Sequence, residues 1–367
     1  MMHIAILGGG RWAKTHVAIL APLLSATGKI DWFTDYNQDN NQAWLDALPD
    51  KEIISLRAYT NLHTRSYDGY IIATASHTHA DYLRQLIPHG SPILCEKPFC
   101  YSNAEVRAIL ALSKEHHCPV SMNIEFIYAS YLQDFKKMLE KIDIRNIRID
   151  WQDPLSENRN GEIKKSDVYT PIAFDQSVHC WSLLYTLLES SDFVLTDTVY
   201  EEKGEITVKA HNNKTNITLT LNRFADRRIR RISVNDDYAI LDFSTEPGCI
   251  TTKTSTIQNH WYGKSPMTQA ILRFLHTVST QGKYYAPDPT AIENIASCIT
   301  FCENIHILLA AHLRPFIKNT CLLTSDIKSS LIYYYCPIFV QKGYRPDVFS
   351  ASGYQAFLNH IKTFEQK

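Results

Sequence analysis

The chain has 367 residues, 45% of them hydrophobic and 20% charged, with a formal net charge of −1. That length exceeds what one hydrophobic core usually supports and that composition is globular, so two domains are expected and disorder is excluded. A near-neutral charge without a basic block leaves no electrostatic footprint for nucleic acid; the pairs Arg227-Arg228 and Arg230-Arg231 read as a solvated strand edge.

The first apolar run, His3 to Leu7, is short, follows no basic stretch and meets three glycines at once, which is not the pattern of a secretory signal. A helix is expected from Arg11 to about Ala26, with Gly28 at its C-cap. Ile30 to Thr34 reads as the second strand, ending at Asp35, and a weaker third lies near Arg57 to Thr60. Tyr70 to Ala73 is a buried strand, and a helix follows from His77 to about Ile87. Pro92 to Cys95 is the fifth strand, ending at Glu96-Lys97-Pro98. Ser102 and Glu105 form a capping box for a helix running to His116, and Val120 to Ile124 is the sixth strand. Short apolar runs alternating with helical patterns indicate βαβ units and a parallel sheet over residues 1–125.

After about Ile142 the pattern changes. Alternating strands are expected at Arg145 to Trp151, Val194 to Tyr200, Glu205 to Ala210, Asn216 to Arg223, Arg230 to Val234 and Ala239 to Phe243. One long helical pattern, Pro171 to Leu188, interrupts them, and helices follow at Met267 to about Thr280 and Thr290 to about Leu313. Short polar turns between strands imply a largely antiparallel sheet, so residues 126–317 are expected to form an α+β domain. Residues 318–367 form a C-terminal extension with an apolar run at Leu331 to Val340 and an amphipathic helix at Tyr354 to Phe364. No apolar run approaches the ~20 residues of a bilayer span, so no membrane association is expected. The nine cysteines are scattered and never form CxxC, which points to reduced thiols in the cytoplasm. His116-His117-Cys118 and the pair Cys298 and Cys302 lack the further ligands of a closed site, so no metal is expected.

Gly8-Gly9-Gly10-Arg11-Trp12-Ala13 fits G-x-G-x-x-G/A between a strand and a helix. Gly8 permits the tight turn, Gly10 lets backbone approach a pyrophosphate, and Ala13 lets helix and strand pack closely. Amide groups at the helix start then hold the anion. Asp35, after the next strand, would accept bonds from the adenosine ribose and repel a 2′-phosphate, and no Lys or Arg lies between it and Lys51. NAD is therefore expected over NADP. Read alone, the loop is also compatible with a glycine-rich turn that binds nothing.

With this loop, the segments Asp68 to Thr74 with His77 to Ala80, Glu96-Lys97-Pro98, and Asp175-x-x-x-His179 make the sequence resemble the glucose–fructose oxidoreductase / inositol dehydrogenase (Gfo/Idh/MocA) family. The ordered set spans roughly half the chain and is far more specific than any member of it. The resemblance implies a Rossmann domain followed by an α+β domain whose open sheet mediates a homodimer or homotetramer. It implies hydride transfer between nicotinamide and a secondary alcohol or ketone of a polyol, sugar, nucleotide-sugar or cyclitol. Lys97 and His179 would share the acid/base role and Asp175 would bind or orient substrate. Gly8, Gly10, Arg11, Trp12, Asp35, Thr74, His79, Glu96 and Lys97 would contact the cofactor, with Thr74 to His79 on the nicotinamide side, Glu96 facing ribose or nicotinamide, and Lys97-Pro98 often cis. Without the family, an Asp–His pair four residues apart also reads as helix-surface decoration, and His79 as a helix-start or packing histidine. Two departures fall where substrate is expected: Thr170-Pro171-Ile172-Ala173-Phe174 replaces glycines, and Asn123-Ile124-Glu125-Phe126 stands where an Arg is common. An imine or enamine reductase, and a dinucleotide-binding sensor without catalysis, are the alternatives; retention of Lys97, Asp175 and His179 together speaks against the sensor.

Overall fold

The structure, a computed structural model, describes residues 1–26, 28–62, 66–159, 162–261, 263–280, 289–319 and 327–365. In chain order the elements begin with β1 Met2–Leu7, α1 Arg11–Leu24, β2 Gly28–Phe33, α2 Gln38–Asp46, β3 Ile54–Arg57, β4 Gly69–Ile72, α3 His79–Leu86, β5 Ile93–Cys95, α4 Asn103–Glu115 and β6 Val120–Met122. They continue with α5 Ser130–Leu139, β7 Asn146–Gln152, β8 Ser156–Arg159, β9 Glu162–Lys165, α6 Ile172–Asp175, α7 Ser177–Leu188, β10 Val194–Tyr200, β11 Ile206–His211 and β12 Asn216–Asn222. The last are β13 Ile229–Val234, β14 Ala239–Asp242, β15 Cys249–Thr252, β16 Thr256–Gln258, α8 Pro266–Thr280, α9 Pro289–Asn319, α10 Lys328–Gln341 and α11 Ala351–Glu365.

Two compact units emerge, Met1–Ser130 with Trp261–Thr300, and Tyr131–His260 with Phe301–Lys367. The first holds a parallel sheet in the order β3-β2-β1-β4-β5-β6, the doubly wound arrangement expected of βαβ units. Ile4, Ile6, Ile30, Trp32 and Ile71 of its strands are buried with Ala13, Val17 and Leu20 of α1. Met267, Ile271, Phe274 and Val278 of α8 belong to the same core. Gly69 lies under that helix, where a Cβ would sit 2.8 Å from Val278 Cγ2 and 2.9 Å from Phe274 Cζ. The expected unbroken span 126–317 therefore divides: α8 groups with the N-terminal unit because its apolar face completes that core.

The second unit is built on eight strands, β10-β11-β12-β7-β13-β14-β15-β16, antiparallel throughout except where β12 pairs parallel with β7. This is the largely antiparallel sheet that the alternating strands imply. Helix α7, Ser-Val-His-Cys-Trp-Ser-Leu-Leu-Tyr-Thr-Leu-Leu, is apolar on most sides and nearly all of it is buried, as such a helix must be.

Several local expectations are corrected. Gly28 does not cap α1 but opens β2 opposite Met2, where a Cβ would sit 2.9 Å from the Met2 carbonyl oxygen. The third strand is Ile54–Arg57, because Tyr59–Asn61 form a 3-10 turn. The hairpin β8–β9 was not expected, since Ile163 is the one apolar residue of β9 and it is exposed. Helix α9 is long and apolar enough over Asn294–Ile317 to cross a membrane by length and composition alone. The expectation of no such run missed it because Glu303, His306, His312 and Arg314 interrupt the apolar residues. Ile295, Ile299, Cys302, Ile305, Leu309, Leu313 and Ile317 recur three or four residues apart and are buried in the protein, the spacing of an amphipathic core helix.

Candidate functional site

The loop between β1 and α1 uses its glycines differently. Gly8 has φ +130°, a region that disfavours a side chain, and a Cβ there would overlap the Ala73 carbonyl, 2.6 Å from its carbon. The loop is pinned by Gly8 N–H donating to Phe33 O at 2.9 Å and by Trp32 Nε1 donating to Gly8 O at 2.6 Å. A Cβ on Gly9 would meet Thr34 Oγ1 and stand 2.9 Å from Tyr36 O. Gly10 is the N-cap of α1 and no side chain caps that helix start; a Cβ on Gly10 would meet nothing within 4 Å. The loop thus closes against the protein at its first two glycines and stays open at the third, beside the positive end of a helix. That is what a dinucleotide pyrophosphate requires, so these residues fit the cofactor.

Arg11 and Trp12 begin α1, the guanidinium 4.9 Å above the indole, and Trp12 is exposed. Asp35 lies two residues beyond β2, exposed, with Oδ1 accepting from Tyr59 N–H at 3.2 Å. Thr74, just past β4, bonds Thr78 Oγ1 at 2.8 Å. Lys97 follows β5 at the carboxyl edge of the parallel sheet, half-buried, and the Lys97–Pro98 bond is cis.

Two expected cofactor contacts are turned inward instead. Glu96 is 5% exposed; its Oε1 bonds His16 Nε2 and accepts from Asn123 Nδ2, both at 2.8 Å, and Oε2 accepts from Lys97 N–H at 3.3 Å. Burial pushes its pKa up, but His16, Asn123 and the charge of Lys97 hold it below the usual carboxylate value. Asn123, one of the two departures from the family pattern, is thus a partner of Glu96. His79 is 1% exposed, with Nδ1 2.7 Å from Pro98 O and Nε2 3.2 Å from Thr74 O. Burial dominates over both carbonyls and lowers its pKa, so the ring is held neutral. A neutral ring has one N–H to donate, and the nearer carbonyl, Pro98 O beside Lys97, receives it.

In the second unit the expected long helix is divided at Gln176 into α6 and α7. Asp175 closes α6, and its Oδ2 accepts from Arg223 Nη2 at 2.7 Å. His179, in the first turn of α7, is buried and stacks on Trp151 of β7, ring centroids 4.7 Å apart and planes 12° apart. Arg230 lies 4.0 Å over the same indole, donates through Nη2 to both Asp153 oxygens (2.6 and 2.7 Å) and is 4% exposed. Gln176 Nε2 donates to Asp153 Oδ2 at 3.1 Å. The sequence reading placed Arg230 on a solvated strand edge; it stands on β13, inside the sheet between β7 and β14. The missed signal was its phase. Arg230 alternates with Ile232 and Val234 on β13, and Arg223, one residue past β12, keeps the phase of Leu219 and Leu221, so both arginines fall in register with buried apolar residues.

Comparison with known proteins identifies the fold that carries these residues. The Gfo/Idh/MocA model, an oxidoreductase family with an NAD-binding Rossmann fold, matches residues 2–124. Glucose-6-phosphate 3-dehydrogenase of Bacillus subtilis (strain 168) is 23% identical over 147 residues, which span 40% of this chain and 40% of that protein. KijD10, a 3-ketoreductase from Actinomadura kijaniata in complex with NADP and TDP-benzene, superposes with a TM-score of 0.68 at 13% identity, covering 84% of this chain and 97% of that one. A Gfo/Idh/MocA family oxidoreductase from Vibrio cholerae superposes with a TM-score of 0.63 at 16% identity, covering 87% of this chain and 100% of the other. At these identities the solved structures establish a shared fold.

Proposed function

We propose that this chain, whose residues 2–124 match the Gfo/Idh/MocA oxidoreductase family with its NAD-binding Rossmann fold, interconverts a secondary alcohol and a ketone on a sugar, nucleotide-sugar or cyclitol. The observation that carries the reading is the glycine loop: closed at Gly8 and Gly9, open at Gly10, on a sheet whose carboxyl edge also bears Lys97. The dehydrogenase and ketoreductase names of similar proteins support the substrate class.

Gly8, Gly10 and the first turn of α1 with Arg11 and Trp12 would hold the pyrophosphate, Asp35 the adenosine ribose, and Thr74 the nicotinamide side. When bound, the nicotinamide supplies the two-electron acceptor or donor. NAD is the proposed form, since the exposed Asp35 carboxylate would accept ribose hydroxyls and would repel a 2′-phosphate. The Lys97 ammonium donates to the carbinol oxygen and stabilises the negative charge that gathers there. His179 takes the hydroxyl proton in oxidation and returns it in reduction, and Asp175 accepts from a substrate hydroxyl. Glu96 and His79 act from behind: the first holds the Lys97 amide, the second donates to the Pro98 carbonyl beside it.

The test offers purified protein NAD⁺ or NADP⁺ with glucose 6-phosphate, myo-inositol and TDP-glucose, and follows the reduced nicotinamide band. Turnover of at least one, preferring NAD⁺, is expected. Dinucleotide binding without turnover of any sugar, polyol or nucleotide-sugar, in either direction, refutes the catalytic reading.

A further inference from the structure

The C-terminal segment reaches the backbone that carries Asp175. Arg223 is 1% exposed, and its guanidinium is divided between two acceptors: Nη2 donates to Asp175 Oδ2 and Nη1 to Thr170 O, each at 2.7 Å. Burial opposes its charge, but Asp175 and Asp167 outweigh that cost and the group stays cationic. One fork therefore holds both ends of the lead-in to α6, the five residues that depart from the family's glycines.

Arg223 is itself held by α10. Its backbone N–H donates to Tyr333 Oη at 2.9 Å, and that hydroxyl donates onward to Gly204 O at 2.9 Å. Tyr333 is buried and lies edge-on to Phe224, ring centroids 5.3 Å apart. Beyond α10, Tyr169 Oη donates to Pro346 O at 2.9 Å, and the Arg345 guanidinium lies 3.9 Å over the Tyr169 ring. The Lys165 ammonium lies 4.7 Å over the Phe349 ring, so the start of the 165–175 stretch meets residues 345–349 directly, and its end at Asp175 is linked to Tyr333 through Arg223.

We propose that Arg223, braced by Tyr333, is a positioning residue that fixes the Asp175 carboxylate toward substrate, and that α10 with the following turn is the brace. This rests on the reading of Asp175 as a substrate-binding group. Glycines would let the lead-in adopt many backbone states; here Pro171 and its neighbours restrict it, and the Arg223 fork fixes what freedom remains. A carboxylate displaced by about 1 Å loses on the order of a hundredfold in rate.

The experiment compares full-length wild type, Tyr333→Phe, Arg223→Lys and Arg223→Met by hydrogen–deuterium exchange and by steady-state kinetics. Tyr333→Phe removes one hydroxyl and should speed exchange in 167–175 by about tenfold, the worth of the hydrogen bonds lost. Peptides of the parallel sheet should be unchanged. Arg223→Met should raise the KM of the sugar, polyol or nucleotide-sugar that is turned over by at least about tenfold and leave the dinucleotide KM within about twofold, while Arg223→Lys recovers part of the loss. A purely structural role would lower the active fraction and leave both KM values alone. Unchanged exchange in Tyr333→Phe overturns the brace whether or not the protein turns over a substrate. Faster exchange in a protein inactive on all three probes refutes the proposed activity, and with it the role of Arg223 toward substrate.

Discussion

Replacing Gly8 and Gly10, two residues apart on one loop, should have opposite consequences. At Gly8 the φ of +130° and the overlap with the Ala73 carbonyl act together. Holding a side chain in such backbone costs on the order of 1–3 kcal/mol, and forcing a methyl into filled space adds about as much again. A domain of this size loses about 2–4 °C per kcal/mol, so Gly8→Ala should lower Tm by at least about 5 °C. At Gly10, φ −90° and ψ −175° are extended backbone that any residue adopts, and the direction of the missing Cβ is open. Gly10→Val should therefore melt within about 2 °C of wild type. Its methyls fill the space the pyrophosphate needs, so dinucleotide affinity should fall at least about a hundredfold, ~2.7 kcal/mol. Calorimetric melts paired with dinucleotide titration separate the two effects. A folded Gly10→Val protein with wild-type affinity would mean that this loop is not the pyrophosphate seat.

Asp35→Ser should narrow the preference for NAD over NADP by removing the charge that repels a 2′-phosphate; a wild-type titration favouring NADP tenfold, about 1.4 kcal/mol, contradicts the assignment. Lys97→Ala and His179→Ala should each cut turnover at least about a hundredfold with dinucleotide affinity within a few-fold, and near wild-type rates in both would remove the proposed mechanism. Burial holds His79 below the ordinary imidazole value of 6.5, so the unfolded chain binds a proton that the folded chain refuses. The stability it protects is intact above that value and declines as pH falls, by up to about 1.4 kcal/mol per pH unit. Melts from about pH 7.5 to 5 should show a shallower decline for His79→Gln than for wild type, and equal slopes argue against a buried neutral ring.

The parallel sheet was legible because its signals are local. Strand, glycine turn and helix follow one another within a few residues at Leu7 to Arg11, and Ser102 accepts from Glu105 N–H as the capping box implies. The antiparallel character of the second sheet was likewise visible in strand alternation, but its parallel β12–β7 pair was not, since partners 70 residues apart leave no mark on either segment. Glu96 and His79 show where motif reading stops. A motif says that a carboxylate or an imidazole stands at a strand end, and only packing decides that one meets His16 and Asn123 and the other two carbonyls. Arg223 and Arg230 were within reach, because a cation in phase with buried leucines and isoleucines must bring its counter-charge with it.

Helix α8 gives the dinucleotide domain a peculiar history during synthesis. Ile271, Phe274 and Val278 lie in the core built on Ile4, Ile6 and Trp32, yet a ribosome that has just completed β6 must add roughly 150 further residues before they exist. At about 5–20 residues per second that interval lasts roughly 8–30 s. Throughout it the six parallel strands lack one of the helices that cover them, and Gly69 faces water where Phe274 and Val278 will later rest. The first domain to be started cannot be closed until the whole strand-rich insertion, β7 to β16, has left the ribosome. A fragment ending at Ser130 would keep that apolar strip uncovered for good.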